Sequence, residues 1–263
     1  MAPVIVLSLL ALLILAIIYY KRPARKITLP PDYKQLLSQH VRYYGRLSPE
    51  NKARFENRIS AFLGLVRIDG VDTPVEDIDK LLVASSAVIP VFGFEKWTYF
   101  NLKNVLLYPA AFNREEFLVS GYEKNTLGMV GNGPMQRVMI LSKPALRFGF
   151  QPWPGRENTG IHEFVHLLDK EDGDVDGLPE ALMKKELRSR WLQLAESGIE
   201  SIAGGRSDIS YYGASSKAEF LAVAAEYFFN CPEEFKENHP ALFDGMCGIF
   251  HQDPSRPNER ING

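Results

Sequence analysis

The 263-residue sequence has little of several things. It has two cysteines, Cys231 and Cys247, too few for a disulfide framework, so the stability of the fold rests on its core. It has no low-complexity tract: 20 glycines and 17 prolines are scattered without period, which excludes collagen-like and disordered classes. It has no charge excess of either sign, with 30 Lys and Arg against 32 Asp and Glu. A net charge of −2 gives no global attraction to nucleic acid, and no nucleic-acid partner is expected. It has only five histidines, so any two at a meaningful spacing carry weight. What remains is an ordinary globular balance of 46% hydrophobic and 24% charged residues.

Long apolar runs are also scarce, with one exception. Val4 to Tyr20 carries no charge and is followed at once by Lys21, Arg22, Arg25 and Lys26. As a helix the run spans roughly 25 Å at 1.5 Å per residue, near the thickness of a bilayer core. A cleaved signal peptide carries its charges before the apolar run and small residues after it. Here that order is reversed, so residues 1–26 are expected to be an uncleaved, single-pass anchor in the inner (cytoplasmic) membrane. The basic flank places the rest of the chain in the cytoplasm. Residues 27–263 then keep 26 Lys and Arg against 32 Asp and Glu, a net −6, and form one domain with a sizeable core.

Within that domain the patterning is mostly helical. Apolar residues recur at helical spacing from Asp32 to about Val66, with Ser48-Pro49 opening a second helix and Asp69-Gly70 ending it. Val75 to Phe92 reads as another helix, and others start near Thr159, Leu178 and Ser216. Two short strands are expected, Asn104 to Tyr108 and Val138 to Ser142, while Gly121 to Gly133 reads as a loop and His239-Pro240 as a turn. The class is α+β, dominated by helices.

The chemistry concentrates in Ile161 to Asp169, IHEFVHLLD. His162, Glu163 and His166 form H-E-x-x-H. On a helix, residues four apart share a face, so both imidazoles reach one metal ion and Glu163 can hold a metal-bound water. Neutral nitrogen ligands with an open position are what hydrolytic zinc requires. Asn158 or Thr159 supplies the helix start. Asp169 shares the histidine face and can either fix a histidine tautomer by accepting its second ring N–H or simply end the helix. The acidic run after it lacks the register of a calcium loop.

A third protein ligand must come from elsewhere. His40, His239 and His251 sit in no metal-binding spacing. Glu219 and Glu226 lie two turns apart on an otherwise apolar helix, and two such acids call for a partner. Ser216-x-x-Glu219 is also a capping box, which leaves the choice between the two acids open. Tyr211 or Tyr212, just upstream, can donate a hydrogen bond to an oxyanion.

HEFVHLLD, Asp176-Gly177-Leu178-Pro179 and YYGASSKAEFLAVAAEYFFNCPEEF, with NVLLYPAAF and VMILS, together resemble the Mlc titration factor A family of zinc-dependent metallopeptidases over most of residues 45–255. The resemblance implies Zn2+ held by His162, His166 and Glu219, with Glu163 as general base, Tyr212 as transition-state donor and Glu226 in support. It implies a mostly helical zincin-like domain with a small sheet, like the catalytic domain of anthrax lethal factor. Met139, Ile140, Leu141 and Ser142 would be the edge strand on which a peptide substrate pairs. The activity implied is aminopeptidase-like cleavage of a peptide or protein substrate. The alternative is a zinc-containing binding protein that sequesters a regulatory partner, such as a transcriptional repressor.

Overall fold

A computed structural model describes residues 27–111, 128–130, 137–151 and 155–258. The described residues open with three helices: α1 (Tyr33–His40), α2 (Arg42–Gly45) and α3 (Pro49–Leu65). Ser48 starts α3 as the sequence pattern predicts: its hydroxyl accepts the Asn51 N–H at 3.3 Å, and Pro49 occupies the first turn. Phe55, Ile59 and Phe62 line its buried face. Then β1 (Arg67–Gly70) leads to α4 (Asp77–Val88), β2 (Asn104–Tyr108), β3 (Gly128–Val130), β4 (Val138–Ser142) and α5 (Lys143–Phe148). The Asp69-Gly70 segment is thus a strand, formed because it pairs with β2, a non-local gain that local pattern does not reveal.

The second half is helical. It contains α6 (Thr159–Asp169), α7 (Lys185–Ala203), α8 (Lys217–Asn230), α9 (Pro232–Asn238) and α10 (Pro240–Phe250), with 3-10 turns at Lys170–Asp172 and Tyr211–Ala214. The helix expected near Leu178 begins only at Lys185, because Leu178 and Glu180 donate their N–H groups to Asp176 and Asp172 in the preceding loop. His239-Pro240 joins two short helices, with Pro240 in the first turn of α10. Phe228, Phe235, Phe243 and Phe250 pack together where α8, α9 and α10 meet. The result is a mostly helical α+β fold with a small sheet. Among the described residues no helix is long and apolar enough to cross a membrane; Val4 to Tyr20 lies outside them.

The sheet has the order β1-β2-β4-β3, with β1, β2 and β4 parallel and β3 antiparallel to β4. This corrects one expectation. Met139 to Ser142 does not form an edge: β4 is flanked by β2 on one side and β3 on the other, and all four of these residues are buried. The outermost described strand at that end is β3, three residues from the stretch that reads as a loop. Its strand character comes from pairing Gly128, Met129 and Val130 with Leu141, Ile140 and Met139.

α4 is a core helix, buried from Leu81 to Val88. Its first turn is tied to the β4–α5 junction by charge. Asp79 is fully buried; its carboxylate accepts from Arg147 Nε at 2.7 Å and from the Glu76 N–H at 2.8 Å, and stands 3.1 Å from Lys143 Nζ. Removing one partner of a buried pair leaves the other charge uncompensated. Asp79→Ala is therefore expected to lower the free energy of unfolding by about 3–5 kcal/mol, read from urea denaturation of residues 27–263. A loss below about 1 kcal/mol would show that Glu76, which stands 3.0 Å from Lys143 Nζ and 2.9 Å from Arg147 Nη2, compensates both cations by itself.

Candidate metal centre

α6 begins where the sequence places its cap: the Asn158 side-chain oxygen accepts the Ile161 N–H at 3.1 Å. All of α6 but Thr159 and His166 is buried, against α4 and α8. The i, i+4 spacing puts both imidazoles on one face, with His162 Nε2 and His166 Nε2 3.1 Å apart. Glu219, in the first turn of α8, brings Oε2 to 3.0 Å from His162 Nε2 and 3.3 Å from His166 Nε2. Ligand atoms about 2.0–2.1 Å from a tetrahedral zinc stand about 3.3 Å from one another. The spacing of these three atoms fits such an ion. Theirs is the one His/Cys/Asp/Glu group that could hold a metal among the described residues.

Glu219 resolves the ambiguity of its own position. Its backbone N–H donates to the Ser216 hydroxyl at 3.1 Å, so Ser216 caps the helix, while the Glu219 side chain points to the histidines. Burial would raise its carboxyl, but hydrogen bonds from His162 and His166 hold it well below the usual carboxylate range. Glu226, two turns further, does not reach the same point. One of its oxygens takes His162 Nδ1 at 2.7 Å, and the other accepts the Asn158 N–H. With Nδ1–H held by Glu226, loss of the Nε2 proton is what would turn a lone pair toward Glu219 and His166. Burial opposes a charge on His162, yet the Glu219 and Glu226 carboxylates outweigh it and push the imidazole up to about 10.

Glu163 is buried beside the histidines, and its side chain lies against the β3 backbone at Gly128. Of the two tyrosines, Tyr212 is the one brought to the centre. Its ring stacks on that of His162, with centroids 6.0 Å apart and planes 30° apart. Tyr211 is 76% exposed. The segment leading into both is pinned by Asp208, whose carboxylate meets Tyr227 Oη at 3.0 Å, Asn238 Nδ2 at 2.8 Å, His239 Nε2 at 2.5 Å and Arg156 at 2.8 Å. Sequence reasoning missed this clamp. Its members come from four segments, at 156, 208, 227 and 238–239, which no local pattern joins.

At Asp169 the geometry matches the helix-ending alternative. It makes no hydrogen bond to a histidine; Oδ2 accepts the Gly177 N–H at 2.9 Å instead. Gly177 has φ of +79°, a left-handed conformation that suits glycine. A side chain there would strike the Lys217 carbonyl at the start of α8 and stand 2.8 Å from the Ala218 nitrogen. The Gly177 carbonyl accepts the Trp191 indole N–H at 2.7 Å. Asp169 thus ends α6 by anchoring the loop that seats the first turn of α8, and with it Glu219.

The sequence pattern of the family described as glucose-regulated metallo-peptidase M90 matches residues 18–251. An uncharacterized protein of Synechocystis sp. is 27% identical over 236 residues, 86% of each chain. Mlc titration factor A of Salmonella arizonae is 27% identical over 228 residues, 80% of this chain and 87% of that one. Mlc titration factor A of Escherichia coli strain SMS-3-5 is 30% identical over 173 residues, 60% of this chain and 62% of that one.

The Asp169 anchor has a pH signature. Burial raises its carboxyl from the ordinary 3.8 to about 6, against the opposing pull of the Gly177 N–H. The folded chain therefore holds this proton more tightly than the unfolded one. Stability falls as pH rises through about 4 to 6, and above that window the ionised group carries its full cost. Asp169→Asn keeps an acceptor for Gly177 and removes the charge. Its melting temperature relative to the parent should be higher at pH 8 than at pH 5. Asp169→Ala strands the Gly177 N–H and should lose about 1–3 kcal/mol. A melting difference for Asp169→Asn that does not change with pH would contradict this account.

Proposed function

The chain belongs to the glucose-regulated metallo-peptidase M90 family, and from that membership we propose that it is a zinc-dependent peptidase. In this reading His162, His166 and Glu219 hold the ion and Glu163 is the general base. The observation that carries it is the convergence of three ligand atoms at 3.0–3.3 Å on a buried H-E-x-x-H helix. Zinc, when bound, supplies a Lewis acid that polarises water and the scissile carbonyl. Glu163 takes a proton from the attacking water and passes it to the leaving amine. Tyr212, half-exposed above His162, turns its hydroxyl to the developing oxyanion. Glu226 keeps His162 in the tautomer that leaves Nε2 free to bind. The substrate peptide pairs with the backbone of β3, which runs beside Glu163. Aminopeptidase-like cleavage is the form of hydrolysis proposed.

Metal analysis beside peptide turnover tests the assignment. Residues 27–263 should bind about one zinc per chain, and the His162→Ala/His166→Ala double variant should lose it. Glu163→Gln should keep zinc and lose turnover by about a hundredfold or more. Glu219→Gln should weaken zinc binding strongly. Glu226→Gln should lose less affinity, by about 10–100-fold. Stoichiometric zinc in the double histidine variant, or full turnover in Glu163→Gln, would overturn the reading.

A second reading has its own support. Two of the relatives carry the name of a factor that titrates Mlc. A binding role for this chain, with zinc as a structural element and a regulatory protein as partner, would leave partner capture intact in Glu163→Gln while turnover disappears.

The anchor completes the proposal. The uncharged run Val4 to Tyr20 and its four following positive charges support a single-pass, N-out arrangement in the inner membrane, with the catalytic domain in the cytoplasm. A protease-protection assay on sealed cells should leave a tag at Gly263 intact. Digestion of that tag from outside would reverse the topology. A mature chain beginning after Tyr20 would identify a cleaved signal instead.

A further inference from the structure

Glycine in a strand interior weakens the strand, and where it occurs the cause is a bulge, a bend or a close approach. Gly128 is the first residue of β3, paired in register with Leu141 of β4, and a close approach accounts for it there. Its backbone does not require glycine. The described glycines with positive φ are Gly173, Gly177 and Gly205. The requirement is one of space. A Cβ at position 128 would stand 2.6 Å from Glu163 Oε1 and 2.7 Å from Glu163 Cδ, and nearer still to Cγ. Carbon atoms in favourable contact stand about 3.5–4.0 Å apart. All three of the closest atoms belong to Glu163. That side chain is 6% exposed, so it cannot swing into solvent without leaving its place beside the histidines.

We propose that Gly128 is a positioning residue for Glu163. The missing side chain lets the strand press on the glutamate from one side, which fixes the carboxylate against the face of α6 that carries His162 and His166. This inference rests on the general-base reading of Glu163. It adds that the outermost described strand sets where that base stands. The strand that would receive the substrate and the residue that would move the proton then share one contact, and a methyl group suffices to separate them.

The test is Gly128→Ala, compared with Glu163→Gln and with the two combined. Gly128→Ala should bind zinc within about threefold of the parent, because the atoms a side chain there would meet first belong to Glu163 and not to a ligand residue. Its kcat should fall by about a hundredfold with KM within a few-fold. The combined variant should be no slower than Glu163→Gln alone, since both changes act on one group. Acetohydroxamate supplies a readout without turnover. It delivers a proton to the glutamate when it occupies the loaded site. Its affinity should fall equally in Gly128→Ala and Glu163→Gln.

If Gly128→Ala fails to fold, Gly128→Ala/Glu163→Ala should fold and recover the melting temperature of Glu163→Ala, because the colliding atoms are gone. A double alanine variant that stays unfolded overturns the proposal. So does parental kcat and acetohydroxamate affinity in Gly128→Ala, or a combined variant whose losses multiply. Full turnover in Glu163→Gln overturns the general base and this proposal together. Loss in Glu163→Gln with none in Gly128→Ala overturns this proposal alone.

Discussion

His162 is gripped at both ring nitrogens by carboxylates from a single helix. Glu219 meets Nε2 and Glu226 meets Nδ1, seven residues and two turns apart on α8. Both contacts can form only if α6 and α8 lie against each other at one rotation and one axial offset. The rest of the molecule serves that alignment. Glu226 spends its second oxygen on the Asn158 N–H, at the residue that caps α6. The start of one helix and the side chain of its first histidine are thereby fixed to the same acid. Asp169 and Gly177 do the corresponding work at the other end, joining the close of α6 to the opening of α8. Asp208 gathers Arg156, Tyr227, Asn238 and His239 around the segment that presents Tyr212. Two acids with different tasks share one helix face: one turned to the imidazole nitrogens of the candidate centre, the other inward to the frame.

The parts of this arrangement legible in the sequence are those that depend on neighbours in the chain. His162 and His166 share a face because helices repeat every 3.6 residues, and Asn158 and Ser48 announce helix starts by a local hydrogen bond. Glu219 was ambiguous for a physical reason. One residue occupies a capping position by its backbone and a binding position by its side chain, and only the tertiary position of the histidines decides which way the side chain turns. Asp169 showed its face but not its partner, since the Gly177 N–H arrives from a left-handed turn eight residues on. The sheet was least legible. β4 carries the pattern of a buried strand, yet whether it is central or peripheral depends on β3, which has three residues and a glycine to declare itself.

The same contrast separates two kinds of buried charge. Asp79 with Lys143 and Arg147 is an ion pair that faces nothing but its own elements, and it fixes the sheet to the core helix. Glu219 with His162 and His166 is a carboxylate between two bases whose nitrogens point at a common center. Both are acids beside bases at about 3 Å. The difference is convergence: the first group is satisfied by hydrogen bonds that diverge, and the second leaves three donors of electron pairs aimed at one spot. Convergence, more than burial or charge, is what marks the second as a site.

The separation of His166 from Glu219 by 53 positions has a consequence for synthesis. A ribosome adds about 5–20 residues per second, so about 3–10 s pass between the two residues. During that interval the nascent chain offers two imidazoles on one helix without the acid that completes the set, and without the Glu226 that holds Nδ1 of His162. A two-nitrogen site binds zinc far more weakly than a three-ligand one. The three-atom cluster is complete only once α8 has emerged and docked, so a metal bound there would be held tightly only late in the maturation of the chain.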